Sequence, residues 1–291
     1  MKVAGFTIIR NAIKFDYPVV EAIRSVLPVC DLFYVGVGKS EDATRKLIED
    51  IGSEKIVIVD SVWDDKLREG GRVLAEETNK VFDQIPSAFD WCFYIQSDEC
   101  VHENDHGKIM QAMRNNLEDK KVEGLLFAYK HFYGQYNLIG AGRRWYRNEI
   151  RIIRNNKSIR SYKDAQGFRK ANGKKLTVKH TQAFIYHYGW VKPPKAQQAK
   201  QQSFHRMWHD DEWVKKNVAA AEEFDYSKID LLERYYGDHP AVMKQRIGNA
   251  HWRFNYNRAK ASMGWRYWLL YWLEKITGWR AGENRNYRLI K

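Results

Sequence analysis

The chain is poor in cysteine, and what it has forms no pattern. Its 291 residues hold three, Cys30, Cys92 and Cys100, an odd number with no Cys-x-x-Cys. That inventory argues against a disulfide scaffold or a structural zinc site and fits reduced thiols in a cytoplasm. No run of 18 apolar residues occurs, so no membrane span is expected. The apolar run within Met1–Arg10 is too short for a signal peptide. Internal repeats, low-complexity tracts, helix-turn-helix patterns, zinc fingers and ribonucleoprotein motifs are also missing. The expected location is the cytoplasm, extending to the inner face of the membrane.

Acidic residues are scarce in one region only. The net charge is +13, with 49 Lys and Arg against 36 Asp and Glu. Residues 1–100 hold 12 basic and 18 acidic residues, whereas residues 101–200 hold 21 and 7. Within 141–179 there are 13 cations and two acids, Glu149 and Asp164. The basicity therefore belongs to a segment and asks for a local explanation. Phosphate groups, a membrane surface and single-stranded nucleic acid are the classes of partner such a segment suggests.

The first hundred residues alternate strand and helix signals. Val3–Ile9 is a continuous apolar run, as in a strand buried on both faces. Asp16-Tyr17-Pro18 reads as a helix start, and the helix runs to about Leu27. Leu32–Val37 is a second strand. Ser40 then reads as the cap of a helix with Glu41 and Asp42 in its first turn. Lys55–Val59, a helix over Gly70–Ile85, and a strand over Trp91–Gln96 follow. This rhythm predicts a parallel sheet covered on both faces, with ligands at the carboxyl ends of the strands. Further strands are expected at Gly124–Tyr133, Glu149–Arg154 and Leu176–Tyr188. From Pro193 the pattern turns helical, at Lys195–Trp208, Glu212–Glu223, Pro240–Arg246 and Trp265–Ile276. The expected division is 1–192 and a helical, aromatic and basic extension, 193–291. The segment Trp265–Leu273, flanked by Arg266, Lys275 and Arg280, reads either as a packed terminal helix or as a peripheral membrane contact.

Adjacent carboxylates, Asp98 and Glu99, follow the fourth strand. Hard oxygen ligands at that edge suit Mg²⁺ or Mn²⁺ bound together with phosphate oxygens. Four ordered blocks then resemble the family 2 glycosyltransferases. They are Phe6-Thr7-Ile8-Ile9-Arg10-Asn11, Ser40-Glu41-Asp42-Ala43-Thr44, Glu69-Gly70-Gly71-Arg72 with Asn79, and Gln96-Ser97-Asp98 in the place of Asp-x-Asp. The likeness covers about residues 1–190. The segments Tyr162–Phe168 and Ile185–Trp190 are similar to a bacterial subgroup. Two departures stand out: Gly36-Val37-Gly38 replaces the base-reading Asp, and Gln96 replaces the first Asp of Asp-x-Asp.

The resemblance implies a GT-A fold, Rossmann-like, with a mostly parallel sheet flanked by helices. It implies a hexosyltransferase-type, inverting chemistry in which a sugar passes from a nucleotide-diphosphate donor to a glycan or lipid-linked acceptor. Donor contacts are then expected at Arg10, Asn11, Gly38, Arg68, Gly71 and Arg72. A Mn²⁺ or Mg²⁺ site is expected on Asp98, Glu99 and His187, with His180 the alternative to His187. Asp164 is the first candidate for the general base and Glu149 the second. His205 and His209, spaced i, i+4, read as a surface face rather than a zinc pair, and His102 as a helix cap. A basic single-strand-binding protein and a nucleotidyltransferase are the alternatives. The acidic first third weighs against a nucleic-acid partner, and Arg10-Asn11-Ala12 lacks the glycines of a nucleotidyltransferase loop.

Overall fold

A computed structural model describes residues 1–67, 70–218, 221–257 and 264–290. The chain begins with three strand–helix units and a fourth strand: β1 (Val3–Ile9), α1 (Val19–Val26), β2 (Leu32–Gly38), α2 (Thr44–Glu49), β3 (Ile56–Ser61), α3 (Arg72–Gln84) and β4 (Trp91–Tyr94). There follow β5 (Glu99–Val101), α4 (His106–Asn115), β6 (Gly124–Tyr133), β7 (Gln135–Gly140), β8 (Asn148–Arg154), β9 (Ile159–Tyr162), β10 (Gly167–Lys170) and β11 (Leu176–Trp190). The C-terminal part holds α5 (Pro194–Arg206), α6 (Asp211–Asn217), β12 (Leu232–Arg234), α7 (Lys244–Gly248), α8 (Trp265–Thr277) and β13 (Tyr287–Leu289).

The α/β class is as the sequence indicates. β3, β2, β1 and β4 run parallel in that order, and β8, β6, β7 and β12 continue the same sheet antiparallel. β6 also pairs with the long β11, which carries β5 and β13. The C-terminal helices thus come with two short strands, β12 and β13, that sequence periodicity does not reveal.

Alternation along the strands explains both layers of the core. Val3 and Ile9 of β1 face one side with Phe33, Phe93 and Phe127, covered by Ile23 of α1 and Ile109 of α4. Ala4, Phe6 and Ile8 face the other side with Tyr94 and Phe168, covered by Val81 and Phe82 of α3. Gly36 lets α3 approach, since a Cβ there would stand 2.4 Å from Val81. The Phe6 ring lies 5.1 Å from Tyr94 and 6.2 Å from Phe168. Through Phe168 the β9–β10 hairpin is fixed to the core, and its turn is held near the end of β4.

Some local expectations change. The helix expected after Asp16 starts at Val19, preceded by Pro18 with no side-chain cap, while Asp16 sits at φ 49° and pairs with Arg246 at 2.6 Å. Ser40 caps no helix: α2 begins at Thr44, and the Ser40 hydroxyl accepts from the Asn11 amide at 3.0 Å and donates to the Gly38 carbonyl at 2.8 Å. The helix expected over Glu212–Glu223 ends at Asn217, and Pro240–Arg246 becomes a 3₁₀ turn followed by the short α7.

Candidate active site

The carboxyl ends of β1, β2 and β3 form a cleft. Asn11 follows β1 in a left-handed conformation, φ 55°, and its side-chain oxygen accepts from the Glu41 amide at 2.8 Å. The Ala12 amide donates to the Thr44 hydroxyl at 2.7 Å, so the Ser40–Thr44 block is a clamp between two loops. Arg10 lies over Trp63 and binds Asp65 at 2.6 Å; Trp63 in turn packs on Gly38, where a Cβ would be 2.5 Å from the indole nitrogen. Beside them opens a cavity of about 440 Å³ lined by Gly38, Lys39, Ser40, Arg45, Asp60 and Ser61 among others. Gly38 lines this cavity, while Arg10 and Asn11 connect to its lining through Trp63 and Ser40. Arg72 lies on the exposed first turn of α3 and pairs with Glu76 at 3.3 Å, and Arg68 lies outside the described residues.

Asp98 occupies the turn that reverses β4 into β5, away from that cavity. β5 pairs antiparallel with β11, placing Glu99 opposite His187, and the Tyr188 amide donates to the Asp98 carbonyl at 2.7 Å. Asp98 Oδ1 then lies 3.7 Å from His187 Nε2. Asp98 Oδ2 accepts from Lys200 Nζ at 3.0 Å, and the same ammonium donates to the Gly189 carbonyl at 2.9 Å. Burial by itself would push the Asp98 carboxyl up, but the Lys200 ammonium bonded to it holds it well below the usual range, so it is ionised. Burial lowers His187, which is neutral at pH 7.

Glu99 does not face this pair. It is fully buried, and both oxygens are taken: Arg151 binds them at 2.7 Å each, Tyr129 donates to one at 2.8 Å and the Gln96 amide to the other at 3.1 Å. The expected three-residue metal set is thereby reduced to Asp98 and His187, and among the described residues no three His, Cys, Asp or Glu converge. The two that remain still suit a divalent cation. One carboxylate and one imidazole face each other, and Gly189 leaves the space between them open: a Cβ there would be 2.7 Å from Asp98 Oδ2 and from His187 Nε2. Two protein ligands are enough for an ion whose other positions go to phosphate oxygens and water.

Asp164 sits at the tip of the β9–β10 hairpin between Lys163, φ 53°, and Ala165, φ 58°. Left-handed backbone at two non-glycine residues stores strain that the surroundings must hold. Gln96 does so by donating to the Ala165 carbonyl at 3.2 Å, and Arg151 by donating to the Gln166 carbonyl at 2.7 Å. Gly71, at the N-terminus of α3, touches Asp164: a Cβ at this position would lie 2.9 Å from that of Asp164. Burial raises the Asp164 pKa against the backbone hydrogen bonds and Lys163 that oppose it. Asp98, Gln96, Asp164 and Gly71 thus share one edge.

The other sequence candidates lie elsewhere. Glu149 is buried under the hairpin against Gly167 and accepts from the Ile150 amide at 3.0 Å. His180 bonds Asn148 at 3.1 Å and the Gln182 amide at 2.9 Å. His209 stacks on Trp213 with His205 tilted beside it, and His102 accepts from the Asn104 amide at 3.2 Å as a cap. The basic segment is not a bare patch. Arg143 and Arg147 bind Glu274, Arg151 binds Glu99, Arg154 binds four backbone carbonyls, Arg160 binds Asp83 and Lys170 binds Glu123. Sequence reading missed Lys200, Lys192 and His131, because nothing in their neighbours signals the fold that collects them around Asp98.

No family model and no curated protein matches the chain. Solved structures do. S. aureus TarS residues 1–349 in complex with UDP has a TM-score of 0.39 at 12% identity, covering 76% of this chain and 68% of that one. Against the longer TarS structure, the chain spans 39% of the length. Glucosyl-3-phosphoglycerate synthase from Mycobacterium tuberculosis, in complex with Mn²⁺, UDP and phosphoglyceric acid, has a TM-score of 0.30 at 14% identity, covering 45% and 43%. The 4-diphosphocytidyl-2C-methyl-D-erythritol synthase from Anaerococcus prevotii has 0.34 at 9%, covering 53% and 70%. No residue of this chain takes a role from them.

The buried Glu149 supplies a test of these electrostatics. Burial, partly offset by Arg151, raises its pKa from 4.5 to about 7. A raised folded-state value favours the protonated form, so this contribution is present below pH 4.5 and is lost as pH rises through 7. The difference corresponds to about 3 kcal/mol. In urea unfolding, Glu149→Gln should gain stability of that order at pH 8 and little at pH 4.5. An unchanged pH dependence in the variant would contradict the assignment.

Proposed function

We propose that the protein transfers a sugar from a nucleotide-diphosphate donor to a glycan or lipid-linked acceptor. The observation that carries this reading is the ionised Asp98 beside a neutral His187 at the carboxyl edge of the sheet, with the Asp164 turn tied to it through Gln96. Breaking the glycosidic bond leaves negative charge on the diphosphate. Asp98 and His187 would hold Mn²⁺ or Mg²⁺, the mixed imidazole–carboxylate pair favouring Mn²⁺. When bound, the ion supplies Lewis-acid stabilisation of the leaving diphosphate. The cleft beside Gly38 receives the nucleoside, and Arg10 and Asn11 shape its entrance. The N-terminus of α3 at Gly71 offers amides to an anion. Asp164 accepts the proton of the acceptor hydroxyl. The oxygen of that acceptor hydroxyl bonds to the anomeric carbon, and the electron pair of the broken bond goes to the diphosphate oxygen. That sequence inverts the anomeric centre. Most cations of 141–179 are committed within the fold, which disfavours the single-strand-binding alternative.

With Mn²⁺ and a panel of nucleotide sugars, the protein should hydrolyse or transfer from at least one of them. Asp98→Ala should abolish that activity. Asp164→Asn should lower kcat by about 10²–10⁴-fold with donor affinity retained. Full activity in Asp98→Ala would sink the metal assignment, and full kcat in Asp164→Asn would sink the base.

The C-terminus bears on the acceptor. Among the described residues no helix is long and apolar enough to cross a membrane. α8 turns its polar side inward, where Glu274 meets Arg143 and the Tyr271 hydroxyl donates to Glu233 at 2.6 Å. Its outer stripe is Trp265, Leu269, Trp272 and Ile276, continued by Trp279, all exposed. Trp beside Arg266 is the composition of a helix lying in a lipid interface. This face is read as a peripheral membrane seat that brings the site to a lipid-linked acceptor. Vesicles containing anionic lipid should pull the protein down in flotation. Changing Trp265, Trp272 and Ile276 together to Ser should lower the bound fraction at least tenfold, and unchanged partitioning would remove the membrane seat.

A further inference from the structure

His131, on β6, lies behind His187 and has no part in the chemistry described so far. It is buried and clamped on every side: Tyr129 and Trp145 stack on it at 5.1 and 5.2 Å, and Tyr146 meets it edge-on at 4.5 Å. A ring held this way cannot turn freely. Its Nε2 lies 2.8 Å from the Tyr146 carbonyl oxygen, and its Nδ1 lies 3.1 Å from His187 Nδ1.

These contacts dictate where the protons are. A carbonyl oxygen only accepts, so His131 Nε2 carries a hydrogen. A neutral imidazole carries one hydrogen, and in His131 the Tyr146 carbonyl fixes it on Nε2, so Nδ1 is a bare acceptor turned toward His187. His187 Nδ1 must then be the donor of the bond between the rings. With its one hydrogen on Nδ1, a neutral His187 leaves Nε2 bare. That bare nitrogen faces the ionised Asp98 Oδ1 at 3.7 Å. Two lone-pair groups turned toward one another, with the side chain of residue 189 absent, call for a cation or a donor between them.

We infer that His131 is a positioning residue that locks His187 in the Nδ1–H tautomer, so that the Nε2 lone pair is presented to a divalent cation shared with Asp98. The chain runs from the Tyr146 carbonyl through His131 and His187 to the cation. Partners on the far nitrogen of a ligating histidine set its tautomer and basicity, and losing them costs 10–100-fold in metal affinity. Lys200 does the corresponding service for the carboxylate, holding Asp98 Oδ2 so that Oδ1 points at His187. The inference rests on the metal reading of Asp98 and His187.

Two measurements on the whole protein test it. Nitrogen-15 NMR of the metal-free protein at pH 7.5 should show His131 as the Nε2–H tautomer and His187 as the Nδ1–H tautomer. Finding the hydrogen of His187 on Nε2 would overturn the inference. Mn²⁺ affinity, read without donor by electron paramagnetic resonance, should fall about 10–100-fold in His131→Leu. In His131→Gln, whose amide can accept from His187 and donate to Tyr146, it should stay within a few-fold of the parent. Parental Mn²⁺ affinity in a folded His131→Leu protein overturns the positioning role. His187→Ala separates the two levels: its loss of Mn²⁺ affinity alongside an unaffected His131→Leu leaves the metal reading standing, whereas its unaltered affinity removes both.

Discussion

Arg151 and Glu99 meet with both side chains sealed from water, and the arrangement of the site depends on that contact. Two hydrogen bonds of 2.7 Å join them, a bidentate geometry that only a guanidinium and a carboxylate provide. Burying two ions costs several kcal/mol each, so the pair is weak evidence for net stability. Its weight is positional. Glu99 follows Asp98 directly, and its oxygen also receives the Gln96 amide, so the turn carrying Asp98 is fixed from both ends. Arg151 also donates to the Gln166 carbonyl, two residues beyond Asp164. One buried contact thus sets the cation-facing carboxylate and the candidate base on the same frame. Losing either partner alone would leave an uncompensated charge, at about 3–5 kcal/mol.

The same contact revises the meaning of the charge. A net of +13 concentrated in 141–179 reads as a surface for anions. Folded, most of those cations work inward. They close salt bridges with Glu274, Asp83 and Glu123, cap backbone carbonyls around Trp91, and serve Glu99. The cation that reaches Asp98 is Lys200, with Lys192 close by, both from outside that segment. The electrostatics of the edge are therefore set chiefly by the partly buried Lys200, which follows β11, with the basic segment acting chiefly as a fastener.

Much of the fold was legible because it is written in local periods. Val3–Ile9, Gly124–Tyr133 and the helix beginning after Gly71 follow from apolar runs and spacing, and their boundaries match within two residues. The short strands β12 and β13 were not legible, since each acquires its pairing only from a distant neighbour. The site was legible in part. Asp98, His187 and Asp164 stand out by type and place. Glu99 looked equivalent to Asp98, yet strand alternation turns it to the opposite side and onto Arg151. No local pattern names the partner of a charge 52 residues away. His131 was silent for the same reason: its role comes from register with β11, where it lies opposite His187.

The central claim is that Asp98 and His187 share a cation at the edge where the diphosphate leaves. Anomalous diffraction at the manganese edge, from crystals soaked with Mn²⁺ and a series of nucleoside diphosphates, addresses it most directly. The account predicts one manganese peak between Asp98 Oδ1 and His187 Nε2, with diphosphate oxygens completing its coordination and the nucleoside in the cleft beside Gly38. A diphosphate bound with manganese absent from that position, or manganese bound on other residues, would contradict it.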